Sequence, residues 1–149
     1  MAGEPASRDT ARAMSQENVE IVRQMFDAVA RRDKATVLAL YDPEVEWDAS
    51  RIPEARLTGL ERIHGYAGIQ RAYRDWDEAW ESFEDECERL IDAGDRVISV
   101  VTRRARGRTS GAETTVPRAG VWTIREGKVA RVVWFPSVEE ALEAVGLSE

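Results

Sequence analysis

Two apolar runs near the end of the chain, AGVWTI (residues 119–124) and VARVVWF (residues 129–135), flank Arg125-Glu126-Gly127-Lys128. Gly127 is free to take positive φ, so a turn centred on Glu126-Gly127 closes the runs into an antiparallel hairpin. With those two residues in the turn, Arg125 faces Lys128, and counting back pairs Thr123 with Ala130, Val121 with Val132 and Ala119 with Trp134. These residues share one face, and Trp122, Ile124, Val129, Arg131, Val133 and Phe135 share the other. Both faces are largely apolar, whereas a sheet wetted on one side alternates apolar with polar. Each face is therefore expected to be covered, by helices on one side and a second subunit on the other.

Upstream, Val19, Val22, Met25, Phe26 and Val29 recur at helical spacing, and Ser15 is a good N-cap, which predicts a helix over 16–32. Asp33 caps a second, shorter helix carrying Val37, Leu38 and Tyr41, stopped by Pro43. Val45-Glu46-Trp47-Asp48 reads as a short strand, and residues 51–63 as an irregular crossover rich in turn formers. Over 66–80 the apolar positions Ile69, Ala72, Tyr73, Trp76 and Trp80 fall on one helical face, with Arg71, Arg74, Asp75 and Glu78 opposite. Residues 83–91 are acidic and weakly periodic, the pattern of an edge strand whose charges protect an open ladder. Ala93-Gly94-Asp95 turns the chain into a strand over 96–105, and a Gly/Ser/Thr loop over 107–114 leads into the hairpin. Ser137 with Glu140 forms a capping box for a last helix containing Ala141, Leu142 and Val145, ended by Gly146. Residues 1–14 are small and polar and are expected to be a disordered tail, leaving 15–149 as a single domain. Helices segregated from an antiparallel sheet define an α+β fold.

Charge and composition narrow the function. Lys plus Arg total 21 against 28 Asp plus Glu, and a net charge of −7 disfavours a nucleic-acid backbone as partner. The one basic run, Arg103, Arg104, Arg106 and Arg108, reads as a solvated hairpin rim. Cys87 is the single cysteine, flanked by Glu86 and Glu88 that disfavour a thiolate, so it reads as a buried bystander in a reducing compartment. No apolar run approaches membrane-spanning length, and a cytoplasmic protein that engages no membrane is expected.

The element order, together with the words ARRDKATVLALYDPEVEWD, HGYAGI, AGDRV, VWTIREGKVARV and EEALEAVGL, resembles the NTF2-like superfamily and, within it, the SnoaL-like, polyketide-cyclase-like group. The resemblance spans residues 15–147. It implies a cone in which a strongly bent antiparallel or mixed sheet wraps around three helices, with a short C-terminal helix and a pocket at the wide end. It also implies pairing into a homodimer through the outer sheet face. The scaffold hosts isomerases, epoxide hydrolases, dehydratases, cyclases and proteins without catalysis, so an activity has to be argued from the site.

Asp48 is the first candidate. The isomerase-like branch places a general base at the end of the first strand, and DPEVEWD puts Asp48 there; apolar walls raise such a carboxyl toward a useful pKa. Strict alternation sends Trp47 and Asp48 to opposite faces, so only one of them enters the pocket, and an inward Trp47 makes Asp48 a surface or capping residue. The oxyanion donors of that branch match Met25 and Ala119 here, which donate no side-chain hydrogen bond. The water-activating set of the epoxide-hydrolase branch matches Trp134, Val101 and Arg103. Trp134 takes no proton, while Arg103 either holds an anionic or carbonyl group inside the cone or forms a rim salt bridge. His64, the single histidine, suits cyclase-like or dehydratase-like proton transfer, or else caps the helix that follows.

No second histidine, cysteine pair or aspartate cluster supports a metal site, and no cofactor is expected. Trp47, Tyr66, Tyr73, Trp76, Val121, Val132 and Trp134 complete the expected pocket, suited to a small, flat, apolar or aromatic ligand. Two functions follow: a cofactor-independent acid/base enzyme of cyclase, isomerase or dehydratase type acting on a cyclic apolar substrate, or a non-catalytic module that binds ligand or protein.

Overall fold

The computed structural model describes the backbone of residues 4–147 and side chains from Ser15 to Leu147. In chain order the elements are α1 (Glu4–Ala30), α2 (Lys34–Leu40), β1 (Tyr41–Asp48), α3 (Pro53–Thr58), β2 (Arg62–His64), α4 (Gly65–Ala79), β3 (Trp80–Ala93), β4 (Arg96–Gly107), β5 (Glu113–Arg125), β6 (Lys128–Phe135) and α5 (Val138–Ala144). The six strands form one curved open sheet in the order β2-β1-β6-β5-β4-β3, antiparallel except where β1 runs parallel to β6. This is the α+β architecture expected.

Several local signals act as read. Glu126 and Gly127 both take positive φ, 52° and 78°, and Arg125 pairs with Lys128 across the turn. Asp33 caps α2, its carboxylate accepting from the Thr36 backbone N–H at 3.2 Å and the Thr36 hydroxyl at 2.6 Å. Ser137 caps α5 by accepting from the Glu140 N–H at 3.3 Å. β3 is an edge strand.

Other expectations are corrected. α1 runs from Glu4, ahead of the expected start at Gln16, so Ser15 lies inside the helix instead of capping it; residues 1–3 and 148–149 lie outside the described residues. The crossover is not irregular. It holds α3, opened by Pro53 at the helix start where a missing N–H costs nothing, and the short strand β2. Pro43 does not stop α2, which ends at Leu40, but sits within β1.

The hairpin register is the correction with most consequence. Ile124 pairs with Val129 but Thr123 with Arg131, so Ala130 is an extra residue in β6. This bulge shifts the pairing by one: Trp122 faces Val132, Val121 faces Val133, Gly120 faces Trp134 and Ala119 faces Phe135. Val132 and Trp134 therefore share the concave face with Trp122 and Ile124, where α1, α2 and α4 pack. Ala119 and Val121 fall on the convex face with Ile98 and Phe135.

The convex apolar patch is covered by the chain itself, through Ala141 and Leu142 of α5. Beyond that patch the convex face is charged, with Arg104 on Glu86 at 3.0 Å and the Thr102 hydroxyl donating to Glu88 at 2.6 Å. The sheet is thus apolar on both sides only where helices lie on it. α5 supplies the cover over this patch.

Gly120 is closely packed inside the sheet. A Cβ there would lie 2.8 Å from Trp122 Nε1 and 2.9 Å from the Ser99 hydroxyl, two atoms hydrogen-bonded to each other at 2.9 Å. Gly120→Ala is expected to destabilise the fold by about 1–3 kcal/mol through overpacking and loss of that bond, read as a lower urea midpoint with unchanged slope.

Candidate functional site

The concave face is lined by aromatic rings in mutual contact. Trp47 meets Trp76 edge-on at 5.5 Å between ring centroids, Trp122 meets Trp134 at 5.9 Å, and Trp47 lies 6.5 Å from Trp134. Tyr73 abuts Trp76, which stacks on Phe83. Met25, Val101 and Val132 are fully buried beside them. The rings touch one another, so they pack the interior as a wall rather than standing around an open hollow. Tyr66 is half-buried at the edge of this core, its hydroxyl donating to the Tyr41 carbonyl at 2.9 Å. Burial pushes the Tyr73 hydroxyl up to about 12, which keeps it neutral.

One buried polar cluster interrupts this wall. Arg103, 5% exposed, extends from β4 between the rings of Phe83 and Trp134, its guanidinium carbon 4.9 Å from each centroid. Asp85, directly opposite on β3, grips it with two hydrogen bonds, Nε to Oδ1 at 2.8 Å and Nη2 to Oδ2 at 2.9 Å. Glu54 reaches in from α3: its Oε1 accepts from Arg103 Nη1 at 3.3 Å and from Arg118 at 3.2 and 3.1 Å, and its Oε2 accepts from Arg118 Nη2 at 2.9 Å. Burial opposes the Arg103 charge, but Asp85 and Glu54 outweigh it and hold its pKa above the ordinary value. Burial likewise raises Glu54, and the Arg118 hydrogen bond, the Glu54 backbone N–H and the charges of Arg118 and Arg103 more than reverse this, leaving the carboxyl below its ordinary 4.5.

Trp134 is 4% exposed, and its Nε1–H is buried without a hydrogen-bond partner. Glu54 borders a surface depression of about 240 Å³ shared with Leu57, Ala79, Trp80 and Gly107. A second depression, about 310 Å³, lies between α2 and α4, lined by Lys34, Leu38, Tyr73 and Arg74.

The two residues expected to move protons lie elsewhere. With Trp47 inward, the Asp48 carboxylate accepts from the Ser50 backbone N–H at 2.9 Å and the Ser50 hydroxyl at 2.7 Å. Partial burial raises its pKa, but the Ser50 bonds, Arg62 and Arg51 outweigh this and hold it below the ordinary carboxylate value, the opposite of a tuned base. His64 is largely exposed, its Nε2 3.2 Å from Glu44, and its side chain makes no capping bond to α4. Ala119 and Val121, expected in the pocket, are on the α5 side for the register reason given above. Arg103 leaves the solvated rim, whereas Arg104, Arg106 and Arg108 stay on it. Burial raises the Cys87 thiol to about 11. Among the described residues no group of three or more His, Cys, Asp or Glu could hold a metal ion, and no helix is long and apolar enough to cross a membrane.

Sequence reasoning missed Glu54, Asp85 and Arg118. Asp85 and Arg118 were findable by alternation, two residues from Phe83 and four from Trp122. Pro53-Glu54 is a helix-start signal inside a stretch read as irregular.

The family model of the SnoaL-like domain matches residues 22–132. The chain belongs to the SnoaL-like family. The SnoaL-like protein is similar to an NTF2-like protein of unknown function from Burkholderia pseudomallei at 23% identity, covering 87% of this chain and 98% of that one with a TM-score of 0.73. An NTF2-like protein from Burkholderia thailandensis is 26% identical, with 85% and 95% covered and a TM-score of 0.72. TerC, co-crystallised with polyporic acid, is 24% identical over 87% and 98% of the two chains, with a TM-score of 0.72. No curated protein matches the SnoaL-like protein.

Two outcomes follow from the cluster. Arg103→Met strands Asp85 and loosens Glu54, and is expected to cost about 3–5 kcal/mol in chemical denaturation. Because the folded pKa of Glu54 is depressed, its stabilisation is complete above 4.5 and is lost as pH falls through the lower folded value. Glu54→Gln should therefore flatten the acid limb of a stability profile measured from about pH 5 to about pH 3.

Proposed function

We propose that the SnoaL-like protein binds a small, flat, mostly apolar ring compound against its tryptophan wall, with an acceptor oxygen of the ligand on the Trp134 indole N–H. The observation that carries this is the buried, unpartnered Nε1 of Trp134 next to the stacked Arg103 guanidinium. An indole donor withdrawn from water without a partner costs free energy, and an incoming carbonyl, hydroxyl or carboxylate oxygen recovers it. The depression bordered by Glu54 is the proposed approach, because Glu54 contacts Arg103 and Arg103 contacts Trp134. TerC, which shares the fold, was crystallised with polyporic acid, in keeping with a pocket role for this scaffold.

Proton transfer by Asp48 or His64 has less support, because one carboxylate is committed to Ser50 and the imidazole is in solvent. Binding without turnover by those residues is the reading adopted. A second copy through the convex face is retained as a partner on the strength of the family resemblance. Light scattering at a single-chain mass would remove it.

Calorimetric titration with naphthols, naphthoquinones and naphthoic acids tests the reading. Wild type is expected to bind members of this panel. Trp134→Phe, which keeps the ring and removes the donor, should weaken binding about tenfold. Absence of binding across the whole panel overturns it.

A further inference from the structure

The two buried arginines are not equivalent, and the difference singles out Glu54. Asp85 holds Arg103, fork to carboxylate, from the neighbouring strand, with Glu54 adding a single longer bond to Nη1. Among the described residues Arg118 has Glu54 as its one carboxylate partner; its Nη1 donates to the Pro117 carbonyl at 2.7 Å. If Glu54 turns away, two guanidinium groups with side chains 6% and 10% exposed face a single carboxylate. The site is then short of one negative charge, and buried charge without a counter-ion is costly. Of the cluster's two acids, Glu54 is the one bordering the open depression.

Ile52, Ala55 and Leu60 anchor the helix and its flanks in the core. The depression beside Glu54 offers Leu57, Ala79 and Trp80 as apolar surface for a ring.

We propose that Arg118 and Arg103 form a binding site for the carboxylate of an aromatic acid, and that Glu54 fills this site from within until the ligand displaces it. The inference rests on the ring-binding reading above and names its ligand class. A carboxylate fits because the Arg118 fork already holds two planar oxygens, and because the vacated charge is one. An internal competitor lowers the apparent affinity by the fraction of time it occupies the site.

The test is calorimetric titration of wild type and Glu54→Gln with 2-naphthoate and with the neutral 2-naphthamide. Glu54→Gln should bind 2-naphthoate at least about tenfold more tightly than wild type, with 2-naphthamide essentially unchanged, because only the charged head gains a vacant site. Adding Arg118→Met to that variant should abolish the gain. An equal gain for both compounds, or no gain for 2-naphthoate, overturns the proposal.

Formate separates its failure from failure of ring binding. It should raise the melting temperature of Glu54→Gln beyond chloride at equal ionic strength, and not that of wild type. Ring compounds that bind while formate has no effect would sink the anion site and leave ring binding standing. A formate effect without naphthoate binding would sink the ring reading and the aromatic ligand with it. Should Glu54→Gln not fold, Glu54→Asp, one methylene shorter, weakens the internal grip and should show the same selective gain; its absence overturns the proposal.

Discussion

A guanidinium group set into an apolar wall cannot shed its proton at any working pH, so the structure around it has to bring negative charge to it. Arg103 imposes that demand on the concave side of the sheet, between Phe83 and Trp134. Asp85 answers it through strand register alone. Glu54 answers from a six-residue helix in the crossover, and in doing so engages Arg118 on a third strand. Four elements distant in sequence, α3, β3, β4 and β5, are thereby tied at one point.

What the chain disclosed of this fold was whatever is decided locally. The Glu126-Gly127 turn, the Asp33 cap, the Ser137 capping box and the acidic edge strand each depend on residues within a few positions of one another. The bulge at Ala130 left no such mark. Alanine is neutral to a bulge, and the pairing that produces it is decided by which β6 residues fit under Trp122 and beside β1. A single uncounted residue was enough to move Ala119 and Val121 to the wrong side of the sheet.

The site was legible in part for the same reason. Arg103 was singled out with two destinations open, and Trp47 and Asp48 were recognised as alternatives of which one faces inward; Trp47 does. The partners of Arg103 were not legible, because an ion pair between a crossover and three strands is a property of tertiary geometry. Asp85 sits in an acidic run and Arg103 in a basic one, and nothing local in either run marks which of its charges is buried. His64 attracted attention by being unique among the residues, and uniqueness of type carries no information on exposure.

The parallel pairing of β1 with β6 has a consequence for how the molecule is made. β1 docks on the strand that is synthesised last, Trp47 against Val132 and Asp48 against Val133. On a ribosome, β1 emerges with only the three-residue β2 to pair with, and its other edge waits until the C-terminal hairpin leaves the exit tunnel. Such long-range closure is slow and leaves sticky surface in the open meanwhile. Nascent chains stalled before β6 should be the forms most dependent on chaperones.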